Sequence, residues 1–196
     1  MTAAVDEEIW IYGDDGHDEI WGADDIPFQY LRGGEGDDMM YGGDDIAYGG
    51  LNYMHGGDGD DIILPGNVNK GETTVRGGKG DDQINVYNEK ADGTSIINDD
   101  GTYDFTELAT LTSTMAAQNG LYDGGDGDDE IWGPWDLFGM TAMPMTETPF
   151  RLYGGNGDDT IKGGWKNPYG LFIAGEGGQD TIDTQWINDG ATYTDQ

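Results

Sequence analysis

The 196-residue chain has no cysteine, two serines, two histidines, six prolines and only eight basic residues. Without cysteine, neither a disulfide framework nor a thiolate metal site is available. The serines (Ser95, Ser113) and histidines (His17, His55) fall in no GxSxG, HExxH or Walker context, so the familiar nucleophile, zinc-hydrolase and nucleotide signatures are missing. No apolar run approaches the ~18 residues of a membrane helix. The opening MTAAVDEE has neither the basic nor the apolar region of an ordinary secretory signal. These absences point to a soluble chain that does not insert into membranes and is not an enzyme. Paired carboxylates of the glycosidase kind are the one catalytic arrangement that residue type leaves open.

Forty acidic residues give a formal charge of -32. That field has the wrong sign for nucleic acid or an anionic membrane, and cations are its natural partners. A disordered acidic tail has such a charge too, but rarely with 11% aromatic residues, six of them tryptophan. Glycine, at 36 residues, is abundant without a collagen period.

The glycines and aspartates recur together. Gly-Gly-x-Gly-x-Asp-x-(apolar)-x begins at Gly33, Gly56, Gly77, Gly124 and Gly154. Near-copies begin at Gly13 (GDDGHDEIW) and Gly175 (GEGGQDTID), each with an acidic residue at position 2. A degenerate copy begins at Asn98 (NDDGTYDFT), where Tyr103 replaces the aspartate. A unit of about 21 residues therefore tiles nearly the whole chain, read as one domain over 1–196.

This pattern resembles the calcium-binding nonapeptide repeats of the RTX (repeats-in-toxin, hemolysin-type) family. The resemblance implies an all-β parallel β-roll, a β-helix-like solenoid of about eight coils with calcium held between stacked glycine-rich turns. The family often places the nonapeptide on both sides of each coil. Here it occurs once per coil, which implies one column of calcium sites.

The residues are consistent with that fold. Position 8 reads Ile20, Met40, Ile63, Ile84, Phe105, Ile131, Ile161, Ile182. Two residues before each unit stand Ile11, Leu31, Met54, Val75, Ile96, Tyr122, Leu152, Ile173. Alternation in a strand makes each column the inward position of one short strand, giving a thin core between two facing strands per coil. The glycines permit a tight turn that brings main-chain carbonyls together. The position-6 aspartates, Asp18, Asp38, Asp61, Asp82, Asp129, Asp159 and Asp180, would repel once stacked. A hard cation taking six to eight oxygens resolves this, and Ca2+ suits irregular carboxylate and carbonyl ligands better than Mg2+. The expected metal residues are those aspartates with Gly13, Gly33, Gly56, Gly77, Gly124, Gly154 and Gly175. Five neighbouring aspartate pairs look intact (18/38, 38/61, 61/82, 129/159, 159/180), and the two gaps flanking Tyr103 should be weak or empty unless Asp104 or Asp100 substitutes. The count is about five sites, with seven as the upper bound. Asp37, Asp60, Asp81, Asp128 and Asp158 at position 5 are expected to rim the column. A plain acidic turn is the alternative, but it does not require aspartate at one fixed position.

Two insertions interrupt the array. Over 104–119 a capping-box-like start at Asp104 and Glu107, with Leu108, Leu111 and Met115 at helical spacing, predicts a short helix; a β-rich loop is the alternative. Over 133–150, Trp135, Leu137, Phe138, Met140, Met143, Met145 and Phe150 form either a lid or an exposed partner surface. Outward columns carry Trp10, Tyr30 and Tyr53, and Trp21, Tyr41 and Trp132. These support a sheet surface, and such rings also stack on glycans or a neighbouring subunit. No capping domain is visible, so open sheet edges predict self-association into end-to-end filaments, through the calcium column or the 133–150 loop. The expected role is a secreted, extracellular or cell-surface structural protein rigidified by calcium. A calcium-dependent adhesion or carbohydrate-binding module is the alternative. Extracellular modules work at about 10⁻⁴–10⁻³ M calcium affinities, out of reach in the cytosol.

Overall fold

A computed structural model of the chain describes residues 7–24, 26–43, 50–65, 72–84, 119–133, 150–162, 171–183 and 192–194. Apart from their end residues, the insertions at 104–119 and 133–150 lie outside these segments, as do Ile96, Tyr103 and Phe105. No helix occurs among the described residues.

Each coil contributes one long and one short strand. The long strands are β1 (Glu8–Asp15), β3 (Phe28–Glu35), β5 (Leu51–Asp58), β7 (Glu72–Lys79), β9 (Asn119–Asp126), β11 (Phe150–Asn156) and β13 (Leu171–Gly177). The three-residue β15 (Thr192–Thr194) completes their eight-stranded sheet. The short strands are β2 (Glu19–Trp21), β4 (Met39–Tyr41), β6 (Ile62–Leu64), β8 (Gln83–Ile84), β10 (Glu130–Trp132), β12 (Thr160–Lys162) and β14 (Thr181–Asp183), which form a seven-stranded sheet. Every pairing is parallel, between one coil and the next, so the chain is an all-β parallel β-roll.

The nonapeptide explains this division. Its first three positions end a long strand, positions 4–6 turn the chain, and the last three form the short strand. In the near-copies, Asp14 (φ 72°) and Glu176 (φ 77°) hold the left-handed conformation where glycine stands elsewhere, at a cost that aspartate bears better than most residues.

The core is the single layer between the sheets. Leu31, Met54, Val75, Tyr122, Leu152 and Ile173 from the long strands meet Ile20, Met40, Ile63, Ile84, Ile131 and Ile161 from the short ones, with Ile11 and Ile182 half-buried at the ends. Both expected columns are therefore inward wherever they are described. Polar side chains close the opposite edge. Gln29 mimics a strand partner, its amide accepting from the Ala23 N–H at 2.9 Å and donating to the Ala23 carbonyl at 2.7 Å. Asn52 donates to the Pro65 carbonyl at 2.6 Å.

Two expectations are corrected. The unit at Asn98 does not form a coil between its neighbours: β7 pairs directly with β9 (Val75 with Tyr122, Gly78 with Gly125), and β8 with β10. The sheet's eighth strand is β15. Trp132, expected in an outward column, is fully buried, with the Lys162 ammonium 4.4 Å from its ring centroid. Trp21 in the same column is 60% exposed, and Tyr41 and Leu64 are half-buried.

Candidate metal centre

The structure brings all seven position-6 aspartates into one column. Each main-chain N–H donates to the Oδ1 of the aspartate one coil on. The bonds run Asp18 to Asp38 at 2.8 Å, Asp38 to Asp61 at 2.8 Å, Asp61 to Asp82 at 2.9 Å, Asp82 to Asp129 at 2.8 Å, Asp129 to Asp159 at 2.9 Å and Asp159 to Asp180 at 3.1 Å. The gap expected around Tyr103 is therefore closed, because Asp82 stacks directly on Asp129. Six consecutive steps result, where five intact pairs were expected.

A second ladder runs the other way. Asp37 Oδ1 accepts from the Asp60 N–H, Asp60 from Asp81, Asp81 from Asp128, Asp128 from Asp158, and Asp158 from Gln179, at 2.7–3.0 Å. These position-5 carboxylates are exposed and rim the column as expected. Every turn is thereby stitched to its neighbours by two opposed side-chain-to-backbone bonds, which explains aspartate at both positions.

The other oxygen of each position-6 carboxylate has no such partner. Oδ2 of Asp18, Asp38, Asp61, Asp82, Asp129, Asp159 and Asp180 is buried and accepts no hydrogen bond. Its surroundings are oxygen-rich. A Cβ placed on Gly13 would lie 2.5 Å from Asp18 Oδ2 and 2.7 Å from the Gly33 carbonyl oxygen. The same two neighbours, its own coil's Oδ2 and the next coil's position-1 carbonyl, crowd that point at Gly33, Gly56, Gly77, Gly124 and Gly154. At Gly175 the Asp180 carboxylate alone crowds it. The strand registers skip this position: Arg32 pairs with His55 and Gly34 with Gly57, leaving Gly33 and Gly56 unpaired in the ladder. Position 1 is therefore glycine for space.

Two acceptors facing one point without a donor repel, and the electrostatics record the cost. Burial is the largest cause at each interior aspartate, with adjacent carboxylates adding and the accepted N–H opposing. Together they push Asp61 up to about 7, Asp82 to about 8, Asp129 to about 7 and Asp159 to about 6, and Asp38 also upward. An unpartnered buried acceptor costs about 1–3 kcal/mol, and more when charged. A divalent cation removes that cost. Among the described residues no three acidic or histidine side chains converge on one point. The donor set at each step therefore mixes carboxylate with main-chain carbonyl oxygen, all hard donors of the kind Ca2+ takes. The residues present fit calcium.

The inner polar row at the opposite edge was not foreseen. Gln29 and Asn52 are fully buried and Thr73 nearly so, and Asn52 Oδ1 and Thr73 Oγ1 accept no hydrogen bond. All three stand four residues before a nonapeptide, those beginning at Gly33, Gly56 and Gly77, and that fixed position is the signal that could have found them.

The model of the RTX calcium-binding nonapeptide repeat matches residues 10–26, 30–46, 46–69, 69–87 and 151–165. No curated protein and no solved structure matches the chain. The turns at Gly124 and Gly175 lie outside the matched spans, yet their aspartates continue the same column. Over these spans the chain carries RTX calcium-binding nonapeptide repeats, stacked as the turns of a parallel β-roll.

Proposed function

We propose that the chain is an extracellular structural module that folds when calcium enters the aspartate column. The Asp18, Asp38, Asp61, Asp82, Asp129, Asp159 and Asp180 carboxylates and the position-1 carbonyls of the next coils would hold one ion at each of six steps. The single observation carrying this reading is the file of seven buried Oδ2 atoms without partners. Without cations, carboxylate repulsion opposes stacking, and a one-layer core offsets little of the ordering entropy. Metal binding is then folding free energy. Working affinities near those of extracellular modules, about 10⁻⁴–10⁻³ M, would keep the chain unfolded in calcium-poor compartments and fold it outside. We assign the aspartates no catalytic chemistry, since the Oδ1 of six of the seven, Asp38 to Asp180, is committed to a neighbouring coil.

The test is far-UV circular dichroism through a calcium titration, with metal counted on the folded protein. A cooperative gain of strand signal and about six ions per chain are expected. The same strand content in chelator and in calcium would falsify the proposal.

Assembly is the second part of this reading. Among the described residues, β1, β2, β14 and β15 each pair on one side only, and such edges template further pairing. Calcium-dependent growth in sedimentation is the expected result, and monomers alone at high concentration would count against it.

A further inference from the structure

The outer face of the long-strand sheet differs chemically from the rest of this acidic protein. All three arginines of the chain, Arg32, Arg76 and Arg151, lie on it. Arg32, His55 and Arg76 occupy one row on successive coils, which Tyr12 begins and Asp123 follows. The neighbouring outward row is Trp10, Tyr30 and Tyr53. Trp10 stacks on Tyr30 with ring centroids 4.0 Å apart and planes 10° apart, and lies near-parallel to Tyr12 at 6.4 Å. Trp10 and Tyr12 are about half exposed, at 51% and 54%.

The lysines of the roll behave ordinarily: Lys79 meets Asp58 and Lys162 meets Glu130, both at 2.7 Å. The arginines do not. Among the described residues no carboxylate oxygen lies within 4.0 Å of Arg32 or Arg76, although the chain holds forty acids. Trp10, Tyr12, Tyr30, Arg32, Tyr53 and His55 border an open groove of about 330 Å³, within the range of small-ligand sites, about 300–1,000 Å³.

We propose that this groove binds a saccharide carrying a carboxylate, a uronic or related sugar acid. A pyranose presents an apolar C–H face that matches the exposed aromatic rings, and its hydroxyls find the tyrosine and histidine polar atoms. The carboxylate takes Arg32, whose planar fork binds that group through two parallel bonds. Nucleic acid suits the groove less, because a phosphate on every unit meets the repulsion of a chain with formal charge -32. A short acidic saccharide with a carboxylate on every second sugar meets that repulsion at fewer points, although Asp14, Asp15, Glu35 and Asp58 border Arg32 on its other side. The groove draws residues from three coils, β1, β3 and β5, so it exists only when those coils stack. The proposal thus rests on the calcium-driven folding argued above, and by linkage the saccharide tightens calcium binding as calcium completes the groove.

The experiment is calorimetric titration of the full chain in millimolar calcium with a hyaluronan tetrasaccharide, against neutral chitotetraose and a single-stranded oligonucleotide. Circular dichroism is recorded on the same samples. Binding of the acidic tetrasaccharide at least about tenfold tighter than of chitotetraose is expected, falling about tenfold in Arg32→Ala, and reduced in Trp10→Ala, with strand content unchanged in both. A folded chain that binds neither sugar, that binds both equally, that keeps its affinity in Arg32→Ala, or that takes the oligonucleotide as tightly would overturn the inference. A chain that stays unfolded in calcium overturns both this and the folding proposal.

Discussion

Asp82→Asn separates the two roles of a column aspartate, because it should shift stability in opposite directions with and without calcium. The Asp82 carboxyl is pushed up to about 8 from 3.8, chiefly by burial, against the help of the Asp61 N–H and with Asp129 and Asp61 adding repulsion. A folded pKa raised above the unfolded one means that the group penalises folding as pH rises from the lower value towards the higher. At about pH 7.5 the linkage relation gives on the order of 5 kcal/mol for Asp82 alone. Neighbouring aspartates share protons, so one substitution recovers part of this, about 2–4 kcal/mol.

Asparagine keeps what the fold needs. Its Oδ1 can still accept the Asp61 N–H, now at 2.9 Å. Its amide nitrogen replaces Oδ2 beside the Gly124 carbonyl and turns a facing pair of acceptors into donor and acceptor. In calcium the same change removes one charge from two adjacent steps, 61/82 and 82/129. In calcium-free buffer, far-UV circular dichroism against pH should therefore show D82N folding at a higher pH than the parent. At neutral pH its calcium midpoint should rise severalfold. Unchanged midpoints in both titrations refute the reasoning. Failure to fold in both would show that the turn needs the Asp82 carboxylate itself, with no penalty for asparagine to relieve.

The remaining expectations use the same geometry. The parent chain, metal-free, should gain strand structure as pH falls from about 8 to about 5, because Asp61, Asp82, Asp129 and Asp159 titrate near 7, 8, 7 and 6 in the fold against 3.8 when exposed. A flat dichroism signal down to pH 5 contradicts the raised values. Gly56→Ala drives a methyl into Asp61 Oδ2 and the Gly77 carbonyl and should cost more than about 3 kcal/mol. Gly16→Ala, with φ +135° and nothing within 4 Å, should cost only about 1–3 kcal/mol of backbone strain; calcium midpoints of the two variants rank them. Replacing residues 85–118 with the connection 65–71, PGNVNKG, which joins β6 to β7, should preserve calcium-induced folding. If the Asn98 unit were an essential coil, that deletion would abolish it.

Most of the roll was legible because its forces act with the period of the sequence. Space forces glycine at position 1, the N–H of the preceding coil calls for an acceptor at position 6, and alternation sets the two apolar columns. The Asn98 unit shows where periodicity stops being informative. Its spacing of 21 residues and its apolar Ile96 and Phe105 fit the array, yet a coil there would place Tyr103 where Asp82 needs an Oδ1. Asp129 supplies that oxygen at 2.8 Å. Closing the 34-residue connection between β8 and β9 costs only about 1–2 kcal/mol more than a seven-residue one, comparable to one buried N–H left without an acceptor. Bond satisfaction across the joint therefore selects the neighbour. The burial of Trp132 was illegible because its column is not uniform: Trp21 is exposed and Tyr41, with coils on both sides, is half-buried.

The two oxygens of one carboxylate explain why folding and metal binding are inseparable here. Oδ1 fixes the spacing of successive turns by accepting a backbone N–H, and in doing so it holds Oδ2 against the carbonyl of the next coil. A coil cannot join the stack without bringing a buried, unpartnered acceptor with it, and the cost is repeated at Asp38, Asp61, Asp82, Asp129 and Asp159. Each ion offsets the penalty of its own step and makes the next turn's N–H···Oδ1 bond favourable, so binding propagates along the roll as coil stacking does. A sharp calcium transition is then expected even without contact between ions, because the shared element is the aspartate between them. A broad, stepwise titration with sites filling independently would show that the coils, and not the ions, supply the cohesion.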